Sequence, residues 1–133
     1  MFSYFTINDA NKVLPTVIKK FKNILDLKDQ VVMIQSELET NPRYMSNFKD
    51  YVIKKQELNT VMTNFYKAIE DLEDIGVMIK SIEEGLLDFP STRFNEEVFL
   101  CWKKGETEIK FWHGRDEGFM GRKPLSVSDE SLV

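Results

Sequence analysis

A chain of 133 residues with 42% hydrophobic and 30% charged residues is too apolar for a disordered polymer, and no apolar run nears the ~20 residues of a membrane span. Its net charge of −4, with no basic stripe, argues against nucleic acid, whose binding rests on neutralising phosphates. One cysteine excludes an internal disulfide, and the opening Met-Phe-Ser-Tyr-Phe-Thr lacks the basic and apolar regions of an export signal, so a cytoplasmic protein of one domain is expected.

The first helix is predicted to begin after Thr6, whose hydroxyl can cap it while Asp9 sits near its positive end. Pro15 lies beyond the first turn, so the spacing predicts either a short helix to Leu14 and a restart, or one helix with a kink. Leu14, Val17, Phe21, Ile24, Leu27, Val31, Ile34 and Leu38 repeat every three or four residues, which is one face of a helix. Asn41-Pro42 breaks that stripe, and Pro42 can open the next helix. There Phe48, Tyr51, Leu58, Met62, Phe65, Ile69 and Leu72 keep heptad spacing, the mark of helices packed in a coiled-coil manner. Further apolar residues, Ile18, Leu25, Val32, Val52, Ile53, Val61 and Ala68, widen the stripe beyond what one partner helix covers. The excess predicts self-association, most simply a two-fold dimer whose hairpins make a four-helix bundle.

Gly76 reads as the helix terminator. The heptad count would let a helix run on to Ile82, but β-branched Val77 and Ile79 alternate with Met78 and Lys80, which favours a strand. Glu83-Glu84-Gly85 is then a turn, Leu86 to Phe89 a short strand ended by Pro90, and Ser91 to Glu96 a polar loop. If Lys104 and Gly105 form the next turn, Leu100 faces Ile109 and Val98 faces Phe111. Val98, Leu100, Trp102, Ile109 and Phe111 then make a wholly apolar face; Phe99, Cys101, Lys103, Glu106, Glu108, Lys110 and Trp112 make a mixed one. By the same parity His113 projects on the apolar side and Cys101 on the other. With one His and one Cys, so separated, no metal and no cofactor is expected.

Several of these segments together resemble a known family. Phe5-Thr-Ile-Asn-Asp-Ala-Asn11, Leu14-Pro15, Glu84-Gly-Leu-Leu-Asp-Phe-Pro90, Leu100-Cys-Trp102, Phe111-Trp-His113 and Gly118-Phe-Met-Gly-Arg-Lys-Pro124 look like the pattern of small uncharacterised prokaryotic proteins grouped as domain of unknown function 2203. The resemblance implies a helical hairpin with a small sheet, and carries no established activity. The expected fold is α+β: a long antiparallel helical hairpin over residues 1–76 packed with a small antiparallel sheet, a C-terminal hairpin plus one or two short strands, over 77–125. Residues 1–125 form one domain in this reading, and 126–133 a disordered tail.

Candidate chemistry concentrates after Phe94. Asp88, Arg93, His113, Arg115, Asp116 and Arg122 fall at strand ends or in loops, where a scaffold presents functional groups. Arginine forks suit carboxylate or phosphate, and Gly114, Gly118 and Gly121 would let backbone N–H groups approach an anion. The competing view is that Arg115 and Arg122 pair with Asp88, Asp116 or Glu117 and tie the chain end to the sheet. His113 would need Asp88 or Asp116 to act as acid or base; as a structural residue it needs only a backbone carbonyl. Cys101, within a strand, reads as a packing residue. The preferred function is a homo-oligomeric helical scaffold or adaptor, not an enzyme, whose C-terminal loop binds a protein partner or small anion. The alternative is a small enzyme on a phosphorylated or carboxylated metabolite, with His113 as acid or base and Arg115 and Arg122 as the anion clamp.

Overall fold

A computed structural model describes residues 4–125, and the tail expected to be disordered lies outside the described residues. Its elements are α1 (Ile7–Thr40), α2 (Pro42–Ser46), α3 (Phe48–Glu73), β1 (Met78–Ser81), β2 (Leu86–Arg93), β3 (Glu96–Lys103), β4 (Phe111–Gly114), a 3₁₀ turn (Phe119–Gly121) and β5 (Lys123–Pro124). The fold is α+β. By packing, the chain divides into two compact units, residues 19–71 and the remainder.

Helix α1 is one unbroken element. The Thr6 hydroxyl accepts the Asp9 N–H at 3.0 Å, as a cap should, and the helix runs through Pro15 without restarting. The second helix is divided: Asn41 caps α2 through Arg43 N–H at 3.0 Å, and Asn47 caps α3 through Asp50 N–H at 3.2 Å. Two capping asparagines six residues apart stop one turn and start another, which the apolar spacing alone does not reveal. Within the helical unit Phe21, Ile24, Ile34 and Leu58 are buried, and Lys54 reaches Glu37 of the opposite helix at 3.0 Å. The heptad residues at the start of α3 are not covered: Phe48 is 79% exposed, Met45 just before it 77%, and Val32, Met33 and Ile53 are exposed as well.

Gly76, at φ +106°, ends the helical run and leads into β1, so the residues after it are strand. The five strands form an antiparallel sheet in chain order, β1 to β5. Strand β2 does not stop at Pro90 but continues to Arg93. Proline is tolerated there because β1 pairs only Leu86 to Asp88, leaving that edge of β2 open beyond Asp88. The Pro90 carbonyl takes the Phe5 N–H at 2.7 Å instead. What reads as a polar loop is a two-residue hairpin turn, Phe94-Asn95, with φ of 50° and 65° between the paired Arg93 and Glu96. Positive φ at both centres matches the twist of the flanking strands.

The β3–β4 register is where the sequence expectation fails. A tight turn does form, with the Glu106 N–H on the Lys103 carbonyl at 3.0 Å, but β4 starts only at Phe111. Ile109 leaves the ladder because Asn11 Oδ1 accepts its N–H at 2.8 Å and its side chain is buried. Val98 therefore faces Gly114, not Phe111, and Phe99 faces His113. A slip of three residues is odd, so every side chain of β4 changes face. Leu87, Phe89, Leu100, Trp102 and Trp112 now share one face, on which the ring of Phe5, just ahead of α1, meets Phe89 edge-on at 5.3 Å. Phe111 moves to the other face, with Asp88, Phe99, Cys101 and His113.

Candidate functional site

Three residues meet on that second face. Asp88 lies opposite Cys101 across β2 and β3, and His113 follows one step along on β4; their exposures are 1%, 1% and 3%. The expectation that Cys101 and His113 project oppositely is thus corrected by the register, and their ligand atoms and those of Asp88 all lie within 4.8 Å of one another. His113 Nε2 is 3.0 and 3.1 Å from the two Asp88 oxygens, and Nδ1 is 2.8 Å from the Gly114 carbonyl. A carbonyl only accepts, so Nδ1 carries a hydrogen. One further proton then sits between Nε2 and the Asp88 carboxyl, whichever of the two holds it. The Cys101 thiol also hydrogen-bonds Asp88, and burial together with the Asp88 charge pushes that thiol up to about 12. Cys101 is therefore held as a neutral thiol near pH 7.

Arg122 is spent elsewhere. Its guanidinium bonds both Glu106 carboxylate oxygens, at 2.8 and 2.9 Å, and the Cys101 carbonyl at 3.4 Å. It stacks over Phe111 at 4.0 Å and Phe119 at 4.8 Å. It does tie the chain end to the sheet, through an acid in the β3–β4 connection that the sequence reading did not consider. Its Nε–H is buried and without a partner among the described residues, so the Nη2 bonds to Glu106 and the stacking are the contacts that hold it.

The glycines close on an internal anion. Gly114 N–H donates to Glu117 Oε1 at 3.0 Å, and Lys123 Nζ caps the same carboxylate. A Cβ on Gly121 would lie 2.5 Å from Glu117 Cβ, so that position needs glycine for the close approach, whereas a Cβ on Gly114 would meet the movable Oε1 end of the same side chain. The place read as a cradle for an external anion is thus filled by Glu117. An acid three residues after a backbone N–H is the signal that could have found it. The Lys123 hydrogen bond, with the Gly114 N–H behind it, holds the Glu117 carboxyl below its ordinary 4.5. A depressed carboxyl contributes above 4.5 and is lost as pH falls through its lower folded value. The Gly114 amide resonance should stay constant from neutral pH down to that range and move below it, and Glu117→Gln should abolish the movement.

Arg93, Arg115 and Asp116 line a third place, an open groove of about 790 Å³ that also includes Phe94, Val98 and Trp112. Arg93 lies over the Trp112 ring at 4.9 Å and over Phe94 at 5.1 Å. Along β2 and β4, Arg93 and Trp112 belong to the face opposite Asp88 and His113. The sheet therefore separates the candidate catalytic pair from the candidate anion groove. The six residues singled out in sequence fall into three places: Asp88 and His113 in a buried pair, Arg122 in a clamp, and Arg93, Arg115 and Asp116 in the groove.

Fold and site define an α+β protein in which a long helical hairpin is joined to a five-stranded antiparallel meander with a buried Asp–Cys–His cluster. Residues 3–125 match the family model described as "Uncharacterized conserved protein (DUF2203)", and the chain belongs to that family. No curated protein and no solved structure matches it. Among the described residues, no helix is long and apolar enough to cross a membrane.

Proposed function

We propose that this protein is a homo-oligomeric helical scaffold, with a second copy of the chain covering the apolar surface around the turn of the hairpin and the C-terminal groove receiving a segment of a protein partner. The observation that carries the reading is the exposure of Val32, Met33, Met45, Phe48 and Ile53, a concentration of large apolar side chains within one short stretch of the helical unit. A second copy suits it because a two-fold axis would lay the same exposed residues of two hairpins against each other. A protein segment suits the groove better than a small phosphate. Its two arginines are outnumbered by Glu96, Glu97, Asp116 and Glu117, and the Arg93–Trp112 stack is the kind of anchor that protein interfaces use.

The enzyme alternative gains an Asp88 partner for His113, yet both ring nitrogens are engaged and the side chain is buried, while Arg122 is bound to Glu106. These facts favour the scaffold. Sedimentation velocity tests it: the wild-type chain should run as a dimer at micromolar concentration. Phe48→Glu with Ile53→Glu, both at exposed positions, should run as a folded monomer. A wild-type chain that stays monomeric at high micromolar concentration would overturn the assignment.

A further inference from the structure

We infer that Asp88, Cys101 and His113 form a binding site for a borderline divalent cation of the zinc type, tying β2, β3 and β4 together beneath the sheet. A carboxylate, a thiol and an imidazole are the three side-chain donors such a cation takes. Here they come from three adjacent strands, are almost fully buried, and place their donor atoms within 4.8 Å of one another. Tetrahedral coordination at zinc bond lengths sets donors roughly 3.2 to 3.7 Å apart, so side-chain adjustments on the order of 1 Å complete the three protein positions.

The surroundings are those of a ligating histidine. A metal-bound imidazole characteristically gives its other ring N–H to a backbone carbonyl or carboxylate, which fixes its tautomer. His113 Nδ1 does so with the Gly114 carbonyl at 2.8 Å, which aims Nε2 at Asp88 and the cluster. The nearest guanidinium, Arg122, is neutralised by Glu106.

Charge balance supports the exchange. Without metal the cluster holds a thiol and an Asp–His pair sharing one proton, a net charge of zero. With metal it holds a thiolate, a carboxylate, a neutral imidazole and a dication, again zero. One dication thus replaces two protons, one leaving Cys101 and one leaving the Asp88–His113 pair. The buried site carries no net charge in either state, which avoids the large penalty of an uncompensated buried ion. Burial excludes substrate, so the role is structural, with the fourth position open to water or a backbone oxygen.

Cobalt(II) is the probe. The full chain, stripped with a chelator and titrated with Co²⁺, should take up one equivalent and develop a thiolate-to-cobalt charge-transfer band in the near ultraviolet, with the visible intensity of tetrahedral cobalt. Zinc should displace it. Cys101→Ser, which changes a single atom, should lose both the band and stoichiometric zinc binding. His113→Gln and Asp88→Asn should weaken binding about a hundredfold or more, beyond what loss of an outer-shell partner does. No charge-transfer band at saturating cobalt overturns the site, as does a band that survives in Cys101→Ser. Unchanged affinity in both His113→Gln and Asp88→Asn overturns it equally. Should either of those two variants fail to fold, Cys101→Ser alone decides.

Discussion

Asp88→Ala, measured in the presence of a chelator, should destabilise the protein by about 3 to 5 kcal/mol, among the largest effects open to a single substitution. In a chain of this size that lowers the melting temperature by roughly 10 to 20 °C. The cause is not the contact energy of the pair but what its removal leaves behind. His113 is 3% exposed, and its Nδ1–H is committed to Gly114, so without Asp88 its Nε2 and the Cys101 thiol lose their buried partner together. Asp88→Asn should cost much less, about 1 to 2 kcal/mol, because an amide can donate to Nε2 of a neutral imidazole of the same tautomer. Replacing both residues by leucine should give a protein more stable than Asp88→Leu alone, since the buried imidazole that Asp88→Leu leaves without its partner is removed as well. Thermal and urea melts of the four variants test the scheme. Equal losses for Asp88→Ala and Asp88→Asn would mean that the ionised carboxylate itself, and not partner satisfaction, is what His113 requires.

Arg122→Ala should lower stability by about 2 to 4 kcal/mol, through loss of the charge-assisted bonds from Nη2 to Glu106 and of stacking on two rings. The guanidinium and the Glu106 side chain are only 13% and 20% exposed, so solvent screens the pair little. The same substitution uncovers Phe111 and frees the 3₁₀ turn, whose Phe119 ring Arg122 also covers. Arg122→Lys should recover only part of the loss, because an ammonium can reach both carboxylate oxygens, as the single Arg122 Nη2 does, but cannot stack flat on the Phe111 and Phe119 rings. Arg115→Ala, at an exposed position in the groove, should leave the melt within about 0.5 kcal/mol of wild type. A melt of Arg122→Ala indistinguishable from wild type would show that the clamp contributes nothing, and would return Arg122 to the pool of residues free for a ligand.

Much of the architecture is legible in local pattern. The Thr6 cap, the apolar stripes of both long helices, the glycine stop at Gly76 and the strand after it each depend on a few neighbouring residues, and each is present in the fold. The residues of the buried cluster are legible as types, and their arrangement is not. Asp88, Cys101 and His113 each lie in a segment that drew attention in sequence, yet the hairpin register inferred from Lys104-Gly105 sent Cys101 and His113 to opposite faces. The turn itself is local, and Glu106 does bond back to Lys103. The register is not local, because Asn11, nearly a hundred residues earlier, takes the Ile109 N–H and holds that residue out of the ladder. Gly114 and Gly121 were likewise visible, but an internal carboxylate tethered three residues from Gly114 has a high effective concentration at the amide that a free anion would have to match.

The α+β class and the long helical hairpin with more apolar surface than one partner helix can cover are written in local patterns of residues. Those properties follow from periodicity, caps and turn residues, all of which act over a few positions. Which residues share a face depends on contacts between distant parts of the chain. A strand alternates sides at every step, so one long-range hydrogen bond that shifts the register by an odd number of residues reassigns every side chain along it. That shift brought Asp88, Cys101 and His113 together under the sheet and left Arg93 and Arg115 in a separate groove.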